Sequence, residues 1–414
     1  MRHTPAVLLP VAGLLGGAVL PAGTGPAAAS GPAAVAAAAT VAAAPRPCVG
    51  SPAPARGDAR RVLKIAEQAK QEFGLNAVVL KVSSRDREVL TAALGESMTG
   101  VPAEPSMHFR TGSVGIVYMA TVLLQLVEEG KASLDDPVAR WVPDAPHGPE
   151  ITLRMLGSST SGLRDYVTDP KFLAELEAKP FRAWTPAQLV GFAAAHPLLY
   201  EPGTNWSYSH ANFVLLGAAL EKISGQRLDR LLAERVFGPL GMGQTGNQST
   251  PQIPPPVLHA FTSERGRYEE STFWNPSWTT APGAVLVQDI CDLERSARGI
   301  GTGELLSPKY FRTQLDPGTV GLGRPTSSCP ADVCLLRNTQ ARHFGFGIIV
   351  VDGWILTNPS FSGYAAVQAY LPARGLSIAV SVTQGPGSPE GNSAQTIAER
   401  IAAALAPGQP LKVP

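Results

Sequence analysis

The sequence predicts an α/β protein of the α+β type, with one antiparallel sheet built from N- and C-terminal segments, flanking helices and an inserted helical region. Strand-like apolar runs near both ends of the chain are the first observation behind this prediction. The second is the stretch between them, where short helical patterns occur among many Pro and Gly residues. With 44% hydrophobic and 16% charged residues over 414 positions, the composition also suits a large buried core.

The N-terminal segment differs in composition from the rest of the chain. Positive charge in Met1-Arg2-His3, an apolar stretch from Ala6 to Leu20 and the small residues Ala27-Ala28-Ala29 are typical of a secretory signal. We therefore expect a signal peptide over 1–29 and an Ala/Pro-rich linker over 30–56. The protein is expected to be exported, either secreted or associated with the cell envelope. Contact with a membrane is expected only if the signal is retained as an anchor.

The charge balance and the four cysteines argue against nucleic-acid and metal partners. There are 34 Lys and Arg residues against 33 Asp and Glu residues, so the chain lacks a basic footprint for nucleic acid. Export favours disulfides, and the short spacing of Cys329 and Cys334 predicts a local bridge between them. Cys48 and Cys291 could also pair, which sequence alone does not decide. No zinc-ligand spacing accompanies the cysteines, so we expect neither a metal nor a cofactor.

The first predicted elements are a helix, two strands and a second helix. Apolar residues at helical spacing lie between Asp58, which would cap the first helix, and Gly74, which would follow its end. Strands are predicted over 76–82 and 89–94, joined by a polar turn. The run from Val114 to Val127 is apolar on nearly every face, as expected of a buried helix.

The middle and the end of the chain complete the predicted fold. From residue 138 to about 280 the pattern favours short helices and loops. Strand character returns in four segments, expected at 344–351, 354–356, 364–371 and 376–383, before a last helix over 393–405. The predicted boundaries are 57–407 for the folded domain, 57–112 and 284–407 for its sheet part, and 113–283 for its helical part.

Ser113 stands at the predicted start of the buried helix, after a short extended run. A serine there is ordinarily an N-cap, although the free N–H groups of a helix N-terminus also favour a developing negative charge. The motifs around it resemble those of the serine β-lactamase and penicillin-binding-protein superfamily, in the class C-like branch that includes D-alanyl-D-alanine carboxypeptidases and esterases. The resemblance spans about 60–406, and its segments include Phe109-Arg110-Thr111-Gly112-Ser113-Val114, Leu134-Asp135-Asp136-Pro137-Val138, Thr160-Ser161-Gly162-Leu163, Trp206-Ser207-Tyr208-Ser209 and Ser362-Gly363-Tyr364.

The resemblance implies nucleophilic catalysis by a serine that a lysine three residues later activates. Residues at i and i+3 share a helix face, so the amine lies within reach of the hydroxyl. In a second motif, Tyr-x-Asn, the tyrosine assists proton transfer. A third motif of Lys or His, Thr or Ser, and Gly lies on a strand and contributes to the oxyanion hole. Carried over residue by residue, Ser113 is the nucleophile, Tyr208 the phenol, and Ser113 and Ser360 the oxyanion-hole positions.

The sequence departs from all three motifs. Ile116 replaces the lysine, and His210 replaces the asparagine of the second motif. The third motif is replaced by Thr357, Asn358 and Pro359, and the proline lacks an N–H and disfavours a strand. A general base contributes about 10²–10⁴ in rate, and losing one from a coupled unit can cost on the order of 10⁶. We therefore expect an exported homologue with a degenerate site, more a non-hydrolytic binding protein for a peptide, cell-wall or acyl ligand than an enzyme.

Three alternatives remain open at the level of sequence. His210 could serve as the base for Ser113 in a Ser–His dyad, or it could simply fill the asparagine pocket. With either His210 or Tyr208 assisting Ser113, the protein would be a slow or altered serine hydrolase, such as an esterase, D-peptidase or β-lactamase-like enzyme acting through Ser113. A structural or partner-docking domain is the third possibility. Trp206, Trp274 and Trp278 could line a ligand cleft, although core packing is the more ordinary role for such residues.

Overall fold

The computed structural model describes residues 47–54, 56–85, 87–247, 250–331, 333–334 and 337–413. The predicted signal peptide over 1–29 and the first part of the predicted linker, 30–46, lie outside the described residues. Within the described ranges, no helix combines the length and the hydrophobicity that a membrane span requires.

The main sheet is antiparallel and joins the two ends of the domain, as the sequence predicts. Its strand order is β3-β2-β1-β14-β13-β11-β10-β9, with β12 paired to β13, while β4-β8-β5 and β6-β7 form two small sheets. The N-terminal strand β1 pairs along its whole length with β14, from Ala77 opposite Thr383 to Ser84 opposite Leu376. The strands are Ala77–Ser84 (β1), Arg87–Met98 (β2), Val101–Pro102 (β3), Phe109–Arg110 (β4), Gly246–Asn247 (β5), Phe261–Thr262 (β6), Glu269–Glu270 (β7), Leu286–Gln288 (β8), Arg342–Phe344 (β9), Ile349–Val351 (β10), Trp354–Thr357 (β11), Ser360–Phe361 (β12), Tyr364–Leu371 (β13) and Leu376–Thr383 (β14).

The helices divide between the two faces of this sheet. They are Gly57–Glu72 (α1), Val114–Glu128 (α2), Leu153–Ser158 (α3), Pro170–Ala178 (α4), Pro186–Ala194 (α5), His210–Ser224 (α6), Leu228–Leu232 (α7), Gly238–Leu240 (α8), Ile290–Gly301 (α9), Pro308–Leu315 (α10) and Ser393–Leu405 (α11). Residues that point to one face of β1, such as Val78 and Leu80, pack with α1 and α11. Ala77 and Val79 point to the other face and join the core around α2 and the helical region. Because both faces are covered, the central strands β1, β13 and β14 are mostly apolar and buried along nearly their whole length.

Helix α2 runs through the centre of the larger core and carries Ser113 at its start. Almost all of its residues are buried, as its sequence predicts. Strand β4 leads into it and pairs with β8, which fixes the extended run before the serine. Ser113 is therefore held on two rigid elements at the boundary between the sheet and the helical region.

Two local predictions are wrong. The predicted strand 344–351 is interrupted, because a Cβ on Gly345 would lie 2.3 Å from a backbone oxygen of Gln314 and Gly347 has a φ of +61°. The chain instead turns Phe346 into the core between β9 and β10. Asp58 does not cap α1, because the helix begins at Gly57 with Arg56 at the N-cap position, and Asp58 lies in its first turn. The predicted helical part also contains the short strands β5, β6 and β7.

Two disulfides connect the chain. Cys329 and Cys334 form the predicted local bridge, which packs against Leu199 and Tyr200. Cys48 and Cys291, whose pairing the sequence leaves open, form the second. It ties the start of the described chain to helix α9 across a separation of 243 residues.

Candidate active site

One cavity of about 480 Å³ brings together the residues that the three departing motifs point to. It lies where the start of α2, the start of α6 and the end of β11 meet. The lining residues that the sequence singles out are Ser113, Ile116, Tyr208, His210, Thr357, Asn358, Pro359 and Ser360. The structure therefore places all of them at one site, although their chemical roles remain predictions.

Ser113 occupies the N-cap position of α2 but does not use its hydroxyl to cap the helix. Gly112, just before it, has a φ of +46°, and a Cβ there would lie 3.1 Å from the Cβ of Pro359. Glycine is suited to this turn because it has no side chain to collide with the opposite wall. The hydroxyl of Ser113 instead lies near the phenol of Tyr208 and lowers the pKa of that phenol.

Ile116 lies one helical turn after Ser113 and is 2% exposed. The chain at Gly347 packs tightly against it, since a Cβ on that glycine would lie 2.9 Å from Cγ2 of Ile116. The cavity-lining residues that the structure describes include no lysine. An apolar side chain therefore occupies the position from which an amine would reach Ser113.

Tyr208 lies in a mainly aromatic setting. Its ring centroid is 6.0 Å from that of Phe344 and 6.1 Å from that of Phe213. Burial of the hydroxyl raises the pKa of Tyr208 above its usual value. The neighbouring hydroxyl of Ser113 lowers this pKa in part, and the negative charge of Asp165 raises it further. The phenol therefore keeps its proton at neutral pH and is a poor base.

His210 is paired with an aspartate, Asp165, that sequence reasoning missed. Nδ1 of His210 lies 3.0 Å from each carboxylate oxygen of Asp165, and the backbone N–H of His210 donates to the same carboxylate at 3.1 Å. The two side chains are only 13% and 11% exposed. No hydrogen bond joins His210 to Ser113 in the part of the chain that the structure describes. The carboxylate thus holds Nδ1, while the hydrogen bond between Ser113 and the other ring nitrogen that a Ser–His dyad requires is absent among the described residues.

The sequence contains a weak signal for Asp165. It follows the quoted segment that ends at Leu163 by two residues, and its side chain also accepts from the N–H of Val167, as an aspartate at a turn often does. That local pattern indicates a turn. Only the tertiary arrangement, which brings the start of α6 to this turn, shows that the carboxylate holds His210.

The strand expected to carry the third motif is interrupted at Asn358 and Pro359. Strand β11 ends at Thr357, and β12 begins at Ser360. Asn392 holds the interrupting segment, because its Nδ2 donates to the carbonyl oxygens of Asn358 and Pro359 at 2.9 and 3.0 Å. Pro359 has no N–H to offer a ligand. The hydroxyl of Thr357 is buried and has no hydrogen-bond partner among the residues that the structure describes.

The C-terminal tail closes one end of this region. Leu411 is buried in the core below α11, and the N–H of Val413 donates to a carboxylate oxygen of Glu399 at 3.0 Å. Upstream, the indole N–H of Trp354 donates to the carbonyl oxygen of Gln409 at 2.9 Å. These contacts place Val413 in the lining of the cavity.

The remaining wall was predicted only in part from the sequence. Trp206 and Trp278 line the cavity, the less ordinary of the two roles considered for them, whereas Trp274 is not among its described lining residues. Asn338, Arg342 and His343 also line it. Their segment carries no catalytic motif, so no signal pointed to it. In the described part of the chain, no group of three or more His, Cys, Asp and Glu residues is arranged to hold a metal ion.

Comparisons with known proteins agree with this architecture. The family model described as Beta-lactamase matches residues 63–403. The chain is 31% identical to Esterase EstB from Burkholderia gladioli, over 45% of its own length and 51% of the esterase. It is 30% identical to Penicillin-binding protein 4 from Amycolatopsis lactamdurans, over 62% of its own length and 63% of that protein. The chain thus spans about half to two thirds of the length of these relatives.

Solved structures also superimpose on this chain over most of its length. A D-stereospecific amidohydrolase from Streptomyces sp. superimposes with a TM-score of 0.69 and 25% identity, over 83% of this chain and 98% of that one. A penicillin-binding protein from Bacillus halodurans superimposes with a TM-score of 0.64 and 21% identity, over 82% of this chain and 98% of that one. At 21% identity the second likeness shows the fold alone.

Proposed function

The chain belongs to the beta-lactamase family. Within this family, we propose that it is an exported, non-hydrolytic binding protein for a peptide, cell-wall or acyl ligand. Two disulfides within the described chain support an oxidising location. The cavity supports binding, because it is open, of ligand size and lined by aromatic and apolar side chains.

The observation that carries the proposal is the buried isoleucine one turn after Ser113. An isoleucine side chain neither accepts a proton nor holds a charge, and the cavity-lining residues that the structure describes include no lysine to replace it. A serine hydroxyl without a base is a weak nucleophile at neutral pH. Loss of the base from a coupled nucleophilic unit costs on the order of 10⁶ in rate.

The other two departures support the same proposal. The pKa of Tyr208 is raised by burial, so its phenol does not replace the missing base. The interruption at Pro359 removes one backbone donor from the edge that would align a substrate in the resembled mechanism.

A second candidate function is a slow or altered serine hydrolase. It is favoured by one specific arrangement: Ser113 and Tyr208 line the same cavity as His210, and the carboxylate of Asp165 holds Nδ1 of His210. An imidazole oriented by a carboxylate is a general base in many hydrolases. The ring centroids of Tyr208 and His210 are 5.1 Å apart. This candidate would therefore need the proton of Ser113 to pass to His210 through the phenol of Tyr208.

Active-site labelling tests the two candidates. The purified chain is incubated with a fluorescent penicillin and, separately, with a fluorescent fluorophosphonate, beside Ser113→Ala as the matched control. We expect no labelling of the wild type above that of Ser113→Ala with either reagent. Labelling that Ser113→Ala abolishes would overturn the non-hydrolytic proposal and favour the hydrolase. The intact mass of protein recovered outside the producing cell tests export, since processing near residue 29 removes a defined mass.

A further inference from the structure

We infer that Val413 limits the length of the ligand that the cavity accepts, because the segment 409–413 forms an end wall of the cavity. We call residues 409–413 the tail segment. Val413 lines the cavity directly. The inference rests on the proposed binding function and names the residue that sets its specificity. The ligand class that follows is an extended acyl or peptidyl chain that ends inside the cavity.

The cavity extends from one core of the domain to the other. Ile116 lines it and belongs to the core around α2. Val413 also lines it and packs against the core on the opposite face of the sheet, with α1 and α11. Between them the lining includes Asn358 and Pro359, where the strand is interrupted. A ligand that lies beside Ser113 and continues past this interruption therefore meets Val413.

The tail segment runs back along helix α11. The chain turns after this helix, where the N–H of Gln409 donates to the carbonyl oxygen of Ala406 at 2.8 Å. The indole N–H of Trp354 holds the turn, because it donates to the carbonyl oxygen of Gln409 at 2.9 Å. At Val413 the chain has returned to the middle of the helix, where its N–H donates to Glu399 at 3.0 Å. The tail segment is thus attached to the domain at both of its ends.

A buried anchor and a bridging amide hold Val413 against the cavity. Leu411 is 1% exposed, whereas Lys412 is exposed and Val413 is half-buried, so the tail segment presents one side to the protein. Nε2 of Gln395 donates to the carbonyl oxygen of Val413 at 3.4 Å. Oε1 of the same side chain accepts from Nδ2 of Asn358 at 2.7 Å. One amide therefore joins the end wall to the side wall that carries Asn358.

The apolar character of this end makes the length limit measurable. Ile349 lines the cavity and packs against the same core as Val413. An alkyl chain gains about fourfold in affinity for each methylene that it buries. The gain stops where the chain reaches a packed wall, because a protein interior has no room for further atoms. The acyl length at which the gain stops thus reports the position of Val413.

The test uses a series of uncharged N-acyl glycinamides, from acetyl to decanoyl, whose binding to the full chain is measured by titration calorimetry. We expect the affinity to rise with acyl length and then to reach a plateau. Val413→Gly should move the plateau to a longer acyl chain, and Val413→Trp to a shorter one. At the plateau length of the wild type, Val413→Trp should bind about tenfold more weakly. Val101→Trp, at a 41% exposed valine on the other edge of the sheet, is the matched control.

Proteolysis tests the end wall without any ligand. Trypsin cleaves after Lys412, and the residues on both sides of this bond are held by the domain. Leu411→Ala removes the buried anchor, so we expect cleavage at this bond to become faster by about tenfold or more. The mass of the shortened chain measures it, and thermal melting verifies that each variant is folded. Equal cleavage rates in Leu411→Ala and the wild type would overturn the anchored wall.

The outcomes separate the inference from the proposed function. A plateau at the same acyl length in Val413→Gly, Val413→Trp and the wild type would overturn the role of Val413 and leave the binding function intact. Affinity that rises up to decanoyl without a plateau would also overturn it. No binding of any member of the series at millimolar concentration would overturn the binding function and the inference together. Penicillin labelling of Ser113 would overturn only the non-hydrolytic proposal, since the length limit does not depend on the serine.

Discussion

The hydroxyl of Ser113 lies close enough to the phenol of Tyr208 to lower its pKa, and the charged group that acts on the same phenol is the carboxylate of Asp165. A negative neighbour and burial both raise the pKa of Tyr208. In the mechanism that the motifs resemble, a nearby positive charge makes this phenol more acidic. The electrostatic setting of the pair is therefore opposite to the one that proton transfer from Ser113 needs.

Replacement of Ile116 by lysine should destabilise the protein without creating an efficient enzyme. Burial of a charge in place of a packed isoleucine is expected to lower the free energy of unfolding by about 2 kcal/mol or more. Fluorophosphonate labelling should remain at the Ser113→Ala level, because Tyr208 and the interruption at Pro359 are unchanged. Urea unfolding and labelling measure the two effects. Ile116→Met, similar in volume and uncharged, is the control and should lose less than about 1.5 kcal/mol.

Removal of the Asp165 carboxylate should weaken the junction between the 165–168 turn and the start of α6. Asp165→Ala leaves the backbone N–H groups of Val167 and His210 without their acceptor, so we expect a loss of about 1–3 kcal/mol in the free energy of unfolding. Asp165→Asn keeps one acceptor oxygen and should lose less. Urea unfolding of both variants provides the comparison. Equal stability of Asp165→Ala and the wild type would contradict a structural role for this contact.

The two disulfides should contribute unequally to stability. In the chain-entropy description, a bridge across 243 residues stabilises by on the order of 5 kcal/mol, and one across 5 residues by about 2 kcal/mol. The double variant Cys48→Ala with Cys291→Ala should therefore melt well below Cys329→Ala with Cys334→Ala. Calorimetric melting under oxidising conditions compares them. The opposite order would show that the short bridge supports more of the native packing than its loop length suggests.

Asp292 should make the protein less stable as the pH rises through the weakly acidic range. Burial, followed by repulsion from Asp289, raises the pKa of Asp292 from 3.8 to about 7. The native state thus retains a proton that the unfolded chain releases, and the free energy of unfolding falls between about pH 4 and pH 7. The slope from this group is at most about 1.4 kcal/mol per pH unit.

Replacement of this carboxyl by an amide tests the expected slope. Asp292→Asn keeps an oxygen that can accept from the N–H of Gln244 and should flatten the pH dependence measured by urea unfolding. Burial also raises the pKa of Asp289, so a smaller slope of the same sign should remain. Asp58→Asn, at an exposed carboxyl, is the control and should leave the slope unchanged. An unaltered slope in Asp292→Asn would assign the effect to other groups.

Much of the sheet could be predicted because its strands are long and buried on both faces. Strands 364–371 and 376–383 and helix 393–405 have the predicted bounds. The segment 344–351 could not be read in the same way. Its apolar residues suit a strand, but Gly345 and Gly347 lie where the chain passes close to Gln314 and Ile116. Such close approaches depend on residues that are distant in sequence.

The residues of the candidate site likewise fall into two groups, those that could be predicted from the sequence and those that could not. Its motif positions, such as Ser113 and Tyr208, could be located because they stand in short segments with a recognisable order. Asn338 and Arg342 line the cavity, and Asp165 holds His210 beside it, yet all three belong to segments without a catalytic pattern. Residues of this second kind reach the site only through tertiary packing and carry no local signal.

The position of Val413 has a practical consequence for handling the protein. Because this residue lies in the cavity lining and is anchored through Glu399, a purification tag or fluorescent fusion inserted directly after it would begin beside the cavity. Such an appendage would crowd the space that a bound molecule needs. Surface immobilisation through this position would shield the cavity from solution, so capture experiments should attach the protein elsewhere.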